Sequence, residues 1–169
     1  MTIAAYIQTR PNTAGVIVTG PFDGERAFAD LKHIVGFGPR PSGSPALERT
    51  REFITNELRA ADATVTEDRF TASTPIGPIA MVNLIAKIPG ELSSVIILAG
   101  HYDTKRMAGR FVGANDGASS AAFSLEMVRA VARRTNKLTY WLMFFDGEEA
   151  LVPEKRLSVA HGVALEAYE

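Results

Sequence analysis

The stretch Leu138–Pro153, LTYWLMFFDGEEALVP, decides how the chain is read. From Leu138 to Phe145 the residues are large and mostly apolar, with no turn former among them. That is the pattern of a strand buried on both faces. Asp146-Gly147 stops the run, and two adjacent glutamates follow, Glu148 and Glu149. Neighbouring carboxylates repel, and both stay ionised at low cost chiefly where a cation stands beside them. A buried strand that ends in such a pair suggests an α/β protein, because sites in open α/β sheets form beyond the carboxyl ends of strands.

Working outward, the same pattern recurs. SSVIILAG, Ser93–Gly100, is a second apolar run, and VIILA within it is apolar on both faces, as expected of a central strand covered by helices. It leads into His101-Tyr102-Asp103-Thr104. Between the two runs, FVGANDGASS places Asn115 and Asp116 in a glycine-bounded turn. A helix is predicted between Gly117 and Thr135, with Ala118, Ala121, Ala122, Leu125, Val128 and Ala132 on one stripe. Upstream, Phe28, Leu31, Ile34 and Val35 have helical spacing and stop at Gly36. GPRPSGSP reads as a loop. Ser44 then caps a second helix with Pro45 at its first position and Leu47, Ile54, Leu58 and Ala61 on one side. Strands are expected around Val65 and over Ala80–Ile88, with TPIGP as the turn between them. Alternation of buried strands with amphipathic helices predicts an α/β fold, three-layer αβα, with a mostly parallel mixed sheet.

Composition limits the function classes. The chain has 169 residues, enough for one domain with a core. Lys+Arg is 18 and Asp+Glu is 19, a near-neutral balance that gives no electrostatic case for nucleic acid or an anionic membrane surface. No apolar run is long enough to span a bilayer. With no cysteine, disulfides and thiolate metal sites are excluded. The first twenty residues lack a basic start followed by a long apolar stretch, so no signal peptide is read there. GFGPRP has a proline where a dinucleotide fingerprint needs glycine, GASSA is not a nucleophile elbow, and no Walker A stretch occurs.

Two polar stretches therefore fall at predicted strand ends, His101–Asp103 and Asp146–Glu149, and a third, Asn115–Asp116, falls in the turn before a helix, so that all three could converge on one cleft. Taken singly, each has a bland reading. Asp-Gly after a strand is usually a turn, a Glu-Glu pair is usually the solvated first turn of a helix, and a lone histidine is usually structural. Their joint placement is what points to a metal. Zinc accepts histidine nitrogen and carboxylate oxygen and leaves one position open at catalytic sites. One glutamate would then ligate while the other carries protons.

The stretches GPRPSGSP, TPIGPIAMVNLIAKIPG, ILAGHYDTK, FVGANDGASSAAFSLEMVRA and LTYWLMFFDGEEA resemble, in order, the M28 family of zinc metallopeptidases, and within it the glutaminyl-peptide cyclotransferases. The resemblance runs from Phe22 to Ala150. It implies a zinc-exopeptidase-like fold, zinc as cofactor, and a peptide or protein substrate with a free N-terminus. By position it implies that Asp116 and Glu149 are zinc ligands and that Glu148 is the general acid/base. His101 is similar to the histidine that binds a second zinc in the peptidases, and Asp103 to the aspartate that orients it. The implied activity is formation of pyroglutamate from N-terminal glutamine with loss of ammonia. An M28 aminopeptidase is the alternative. A secreted or periplasmic location is what the family implies.

After Ala150 the text LVPEKRLSVAHGVALEAYE departs from the cyclase pattern, which continues with a stretch like D-S-L-Y-G-S-R-H. The domain reading is therefore an irregular lead-in at 1–21, a catalytic-domain part at 22–150 and an unmatched tail at 151–169. A truncated or frameshifted, inactive fragment is the third reading. In it the distal histidine ligand is missing, His161 in the tail is a bystander, the tail packs poorly, and each zinc position keeps two protein ligands. Weak zinc binding and no useful turnover are expected of such a chain.

Overall fold

The structure, a computed structural model, describes residues 22–151. The lead-in at 1–21, His161 and all of the tail except Leu151 lie outside the described residues. The order is α1 (Gly24–Gly36), α2 (Pro45–Ala60), β1 (Thr64–Thr74), β2 (Gly77–Ile88), β3 (Leu92–His101), a wide turn over Ala114–Ala118, α3 (Ser119–Ala132) and β4 (Leu138–Phe145).

Local chemistry sets the helix starts. Asp23 accepts from the Arg26 amide at the head of α1, and Ser44 accepts from the Leu47 amide at the head of α2, with Pro45 next in line. Both bonds satisfy amides that have no partner inside the helix. No helix among the described residues is long and apolar enough to cross a membrane.

The sheet is open and mixed, in the order β1-β2-β4-β3. β1 and β2 form an antiparallel hairpin across Pro75-Ile76, β2 pairs antiparallel with β4, and β3 pairs parallel with β4. The α/β class and the mixed sheet stand as expected, but the balance does not: only one of these pairings is parallel. The two-residue turn between Thr74 and Gly77 forces the first pair to be antiparallel, whereas α3 supplies the crossover that lets β3 and β4 run together. β3 is also not central. Among the described residues it is an edge strand, with Val95 41% and Ile97 55% exposed.

One core joins the helices to one face of the sheet. Ile34 of α1, Leu47, Ile54 and Leu58 of α2, and Leu125 and Val128 of α3 pack with Leu84, Ala86, Leu142 and Phe144, all nearly or fully buried. The stripe predicted on α3 faces this core. Phe28 does not join the other apolar residues of α1. It is exposed, with the Lys32 ammonium 5.0 Å from its ring centre. The opposite sheet face carries Ile85, Ile97, Trp141 and Met143, so the described residues form two of the three expected layers.

Candidate metal centre

Because β3 and β4 are parallel neighbours, with His101 opposite Phe145, their carboxyl ends open on the same side. The ladder runs one residue further, where the Tyr102 amide donates to the Phe145 carbonyl at 3.1 Å. Past that point the chain delivers Asp103 from one strand and Asp146–Glu149 from the other. The turn at Ala114–Ala118 brings Asp116 back to the end of β3.

Two of the predicted residues touch. His101 Nε2 stands 3.1 Å from Asp116 Oδ1, and His101 Nδ1 stands 3.1 Å from Asp103 Oδ1. The bond to Asp103 is the main reason the imidazole is raised to about 9. Burial opposes it, while the charges of Asp103 and Glu148 and the bond to Asp116 add to it. Asp103 is itself buried and also receives Ser42 Oγ and the Glu149 amide, each at 3.4 Å. Glu149 is thereby drawn to the same group of side chains. Its carboxyl is pushed up by burial first and then by the Asp116 charge, with Lys105 opposing. Glu148, the other glutamate of the pair, is exposed, and its charge acts on His101.

Glu149 Oε1 is buried with no hydrogen-bond partner. A buried carboxylate oxygen without a donor is costly, on the order of 1–3 kcal/mol, so the position suits a cation. The donor types agree, with an imidazole nitrogen in contact with one carboxylate oxygen and a second carboxylate near enough to feel the Asp116 charge. Two donors at zinc bonding distance across a tetrahedral angle are about 3.3 Å apart, close to the His101–Asp116 separation. Among the described residues no group of three or more His, Asp or Glu side chains is already drawn together as a shell. The residues thus fit zinc as a contacting pair plus an unpartnered third donor.

Several residues support the site in ways the sequence alone does not signal. Asp146 is buried, accepts from Ser42 Oγ at 2.6 Å and from the Val82 amide at 3.0 Å, and its own amide donates to Asn83 Oδ1 at 3.1 Å. It braces the Asp146–Glu149 turn against β2, and burial raises its carboxyl despite these bonds. The GPRPSGSP loop supplies Arg40 and Ser42 to the same region, although its composition suggests only a connector. Gly117 adopts φ +86°, and an added Cβ there would overlap the Asp103 carbonyl and sit 3.2 Å from His101 Cε1. Only glycine lets the turn lie this close to the histidine.

Comparison with known proteins bears on this arrangement. The sequence profile described as "Peptidase family M28" matches residues 83–163. The chain is 32% identical to a glutaminyl-peptide cyclotransferase-like protein of Bos taurus over 173 residues, covering 86% of this chain and 45% of that protein. Its fold is similar to the glutaminyl cyclase of an Acidobacteriales bacterium, with a TM-score of 0.74 and 31% identity, covering 98% of this chain and 58% of that one. It is also similar to the Fimbriiglobus ruber glutaminyl cyclase, with a TM-score of 0.73 and 28% identity, covering 83% and 50%. The chain spans about half the length of the relatives it matches.

Proposed function

The chain belongs to peptidase family M28, its likeness runs to the glutaminyl cyclases, and from that premise we propose that it carries metal-ligand and proton-transfer residues of a zinc-dependent glutaminyl-peptide cyclotransferase. The observation that carries this reading is the contact of His101 Nε2 with Asp116 Oδ1 beside the unpartnered Oε1 of Glu149.

In this reading Asp116 and Glu149 would hold the zinc, and His101, in contact with Asp116, would be a further donor or the ligand of a second zinc. Zinc, when bound, supplies Lewis-acid polarisation of the side-chain amide carbonyl of an N-terminal glutamine. Asp103 accepts from His101 Nδ1, which fixes the ring and leaves Nε2 turned toward Asp116. Glu148 is exposed beside this cluster and free to move a proton. It takes the proton from the substrate's α-amine as that nitrogen bonds to the amide carbon. It then gives the proton to the side-chain nitrogen as its bond to the same carbon breaks. Ammonia leaves and the pyroglutamyl ring closes.

The contact between His101 and Asp116 also suits the aminopeptidase reading, in which Glu148 activates water against the first peptide bond. The two are separated by product: ammonia and a pyroglutamyl peptide, or a free amino acid and a shortened peptide. Incubating the zinc-loaded protein with a glutaminyl peptide and analysing both products tests the proposal. Ammonia release that depends on zinc supports cyclisation, amino-acid release supports the peptidase, and neither product from zinc-loaded protein rejects both activities for this chain.

A further inference from the structure

We propose that Arg40 is a positioning residue, one guanidinium that ties the end of β3, bearing His101, to the turn that bears Asp116. The side chain is fully buried. Its Nε donates to the Tyr102 carbonyl at 2.9 Å, Nη1 to the Val112 carbonyl at 2.6 Å and Nη2 to the Gly113 carbonyl at 3.2 Å. None of these acceptors is a carboxylate. The main chain is held as well: the Arg40 amide donates to Thr104 Oγ1 at 2.9 Å, and the Thr104 amide donates to the Arg40 carbonyl at 3.2 Å.

The identity of the three carbonyls is what matters. Tyr102 follows His101 directly. Val112 and Gly113 lead into the turn, and the Gly113 carbonyl also accepts from the Ala118 amide at 3.1 Å. Gly113, at φ +50°, is where the chain reverses into that turn. One side chain thus clamps both ends of the loop between the two contacting candidate ligands. A buried charge is expensive unless it is well satisfied. Burial lowers the Arg40 guanidinium to about 10, with the nearby Asp103 charge supporting it, so it stays charged at neutral pH. A lysine would keep the charge but present it from a single point, whereas the rigid fork of arginine reaches two chain segments at once. An arginine kept for bulk or charge alone would not need acceptors divided between the segment after His101 and the segment before Asp116.

Arg40's effect on metal affinity rests on the zinc reading of this site; its hold on the turn does not. The test compares the wild-type chain with Arg40→Lys, Arg40→Met and, as a core control remote from the site, Ile54→Ala. Zinc affinity is measured by competition with a chelator, and amide exchange is followed residue by residue. The expected result is a roughly tenfold or greater loss of zinc affinity in Arg40→Lys, the size usual for groups that orient metal ligands. Faster exchange should be confined to the segment 112–118, and Ile54→Ala should lose stability while its folded fraction binds zinc as wild type does. Wild-type affinity and protection in Arg40→Lys, or an equal loss of affinity in Ile54→Ala, would overturn the proposal. Should Arg40→Met fail to fold, Arg40→Lys decides. Should the wild-type chain bind no zinc, the metal reading fails by itself. Exchange then decides alone: selective loss of protection at 112–118 upholds the clamp, and unchanged protection removes it.

Discussion

At Gly117 the site depends on a hydrogen atom where any other residue has carbon. Gly117→Ala forces a side chain into a positive-φ conformation and against the Asp103 carbonyl. A loss of about 1–3 kcal/mol in unfolding free energy is expected, measured by urea denaturation, together with weaker zinc binding as Asp116 moves. The two glutamates separate cleanly at this scale. Glu148→Gln removes a proton carrier but no ligand, so bound zinc, measured by elemental analysis, should stay at the wild-type level. Ammonia release, where the wild type shows it, should fall by on the order of 10²-fold or more. Glu149→Gln weakens the carboxylate with the unpartnered oxygen and should lose zinc as well. That these residues would meet was legible in the sequence, because His101 and Glu149 follow apolar strands and Asp116 lies in the turn before a helix. Arg40, Ser42 and Asp146 were not legible in these roles. Nothing in a Gly- and Pro-rich loop announces that its arginine is fully buried, since the carbonyls it serves are more than sixty positions away in sequence.

Among the elements, β3 and β4 show two faces of one sheet with opposite demands. Leu142 is fully buried and pairs with Leu98, one position along from Ile97, which is 55% exposed and pairs with Trp141. Leu142→Ala should cost about 2–5 kcal/mol, and Ile97→Ala less than about 1 kcal/mol, both read from chemical unfolding. Similar costs at the two positions would show that the second face is covered. The sequence reading made VIILA a central strand because an apolar run looks the same whether helices cover one face or two. The helix α3 hid something else. Its apolar stripe was legible, but Glu126 and Arg129 are also buried, on the side where α1 packs. Arg129 bonds Asp30 at 2.5 Å, Glu57 at 2.6 Å and Glu126 at 3.3 Å, and Glu126 receives Arg26 Nε at 2.7 Å. Arg129→Met leaves the buried Asp30 carboxylate without its partner, while Glu126 keeps Arg26, and should cost about 3–5 kcal/mol. Burial pushes the Glu126 carboxyl up, but Arg26, the Asp23 amide and Arg129 together hold it below the ordinary glutamate value. A depressed carboxylate stabilises the fold fully above its unfolded pKa of about 4.3 and loses that contribution as pH falls through the lower folded value. Unfolding free energy should therefore fall more steeply below that pH in the wild type than in Glu126→Gln.

For the whole molecule, the class was readable because buried strands and amphipathic helices alternate, and the start of α2 was readable from Ser44 and Pro45; the Asp23 cap of α1 was not read. Strand order and direction were not, because pairing is a long-range choice that local pattern does not record: β4, last in the described chain, inserts between β2 and β3. That insertion sets His101 and the Asp146–Glu149 turn side by side, and the metal reading depends on it. The most direct test is the zinc-edge X-ray absorption spectrum of the protein loaded with one equivalent of zinc, recorded for wild type and for the Asp116→Asn/Glu149→Gln double variant. The wild type should show a shell of oxygen donors with histidine nitrogen, and the double variant should lose it. Failure of the wild type to hold zinc, or the same shell in both proteins, would contradict the metal reading.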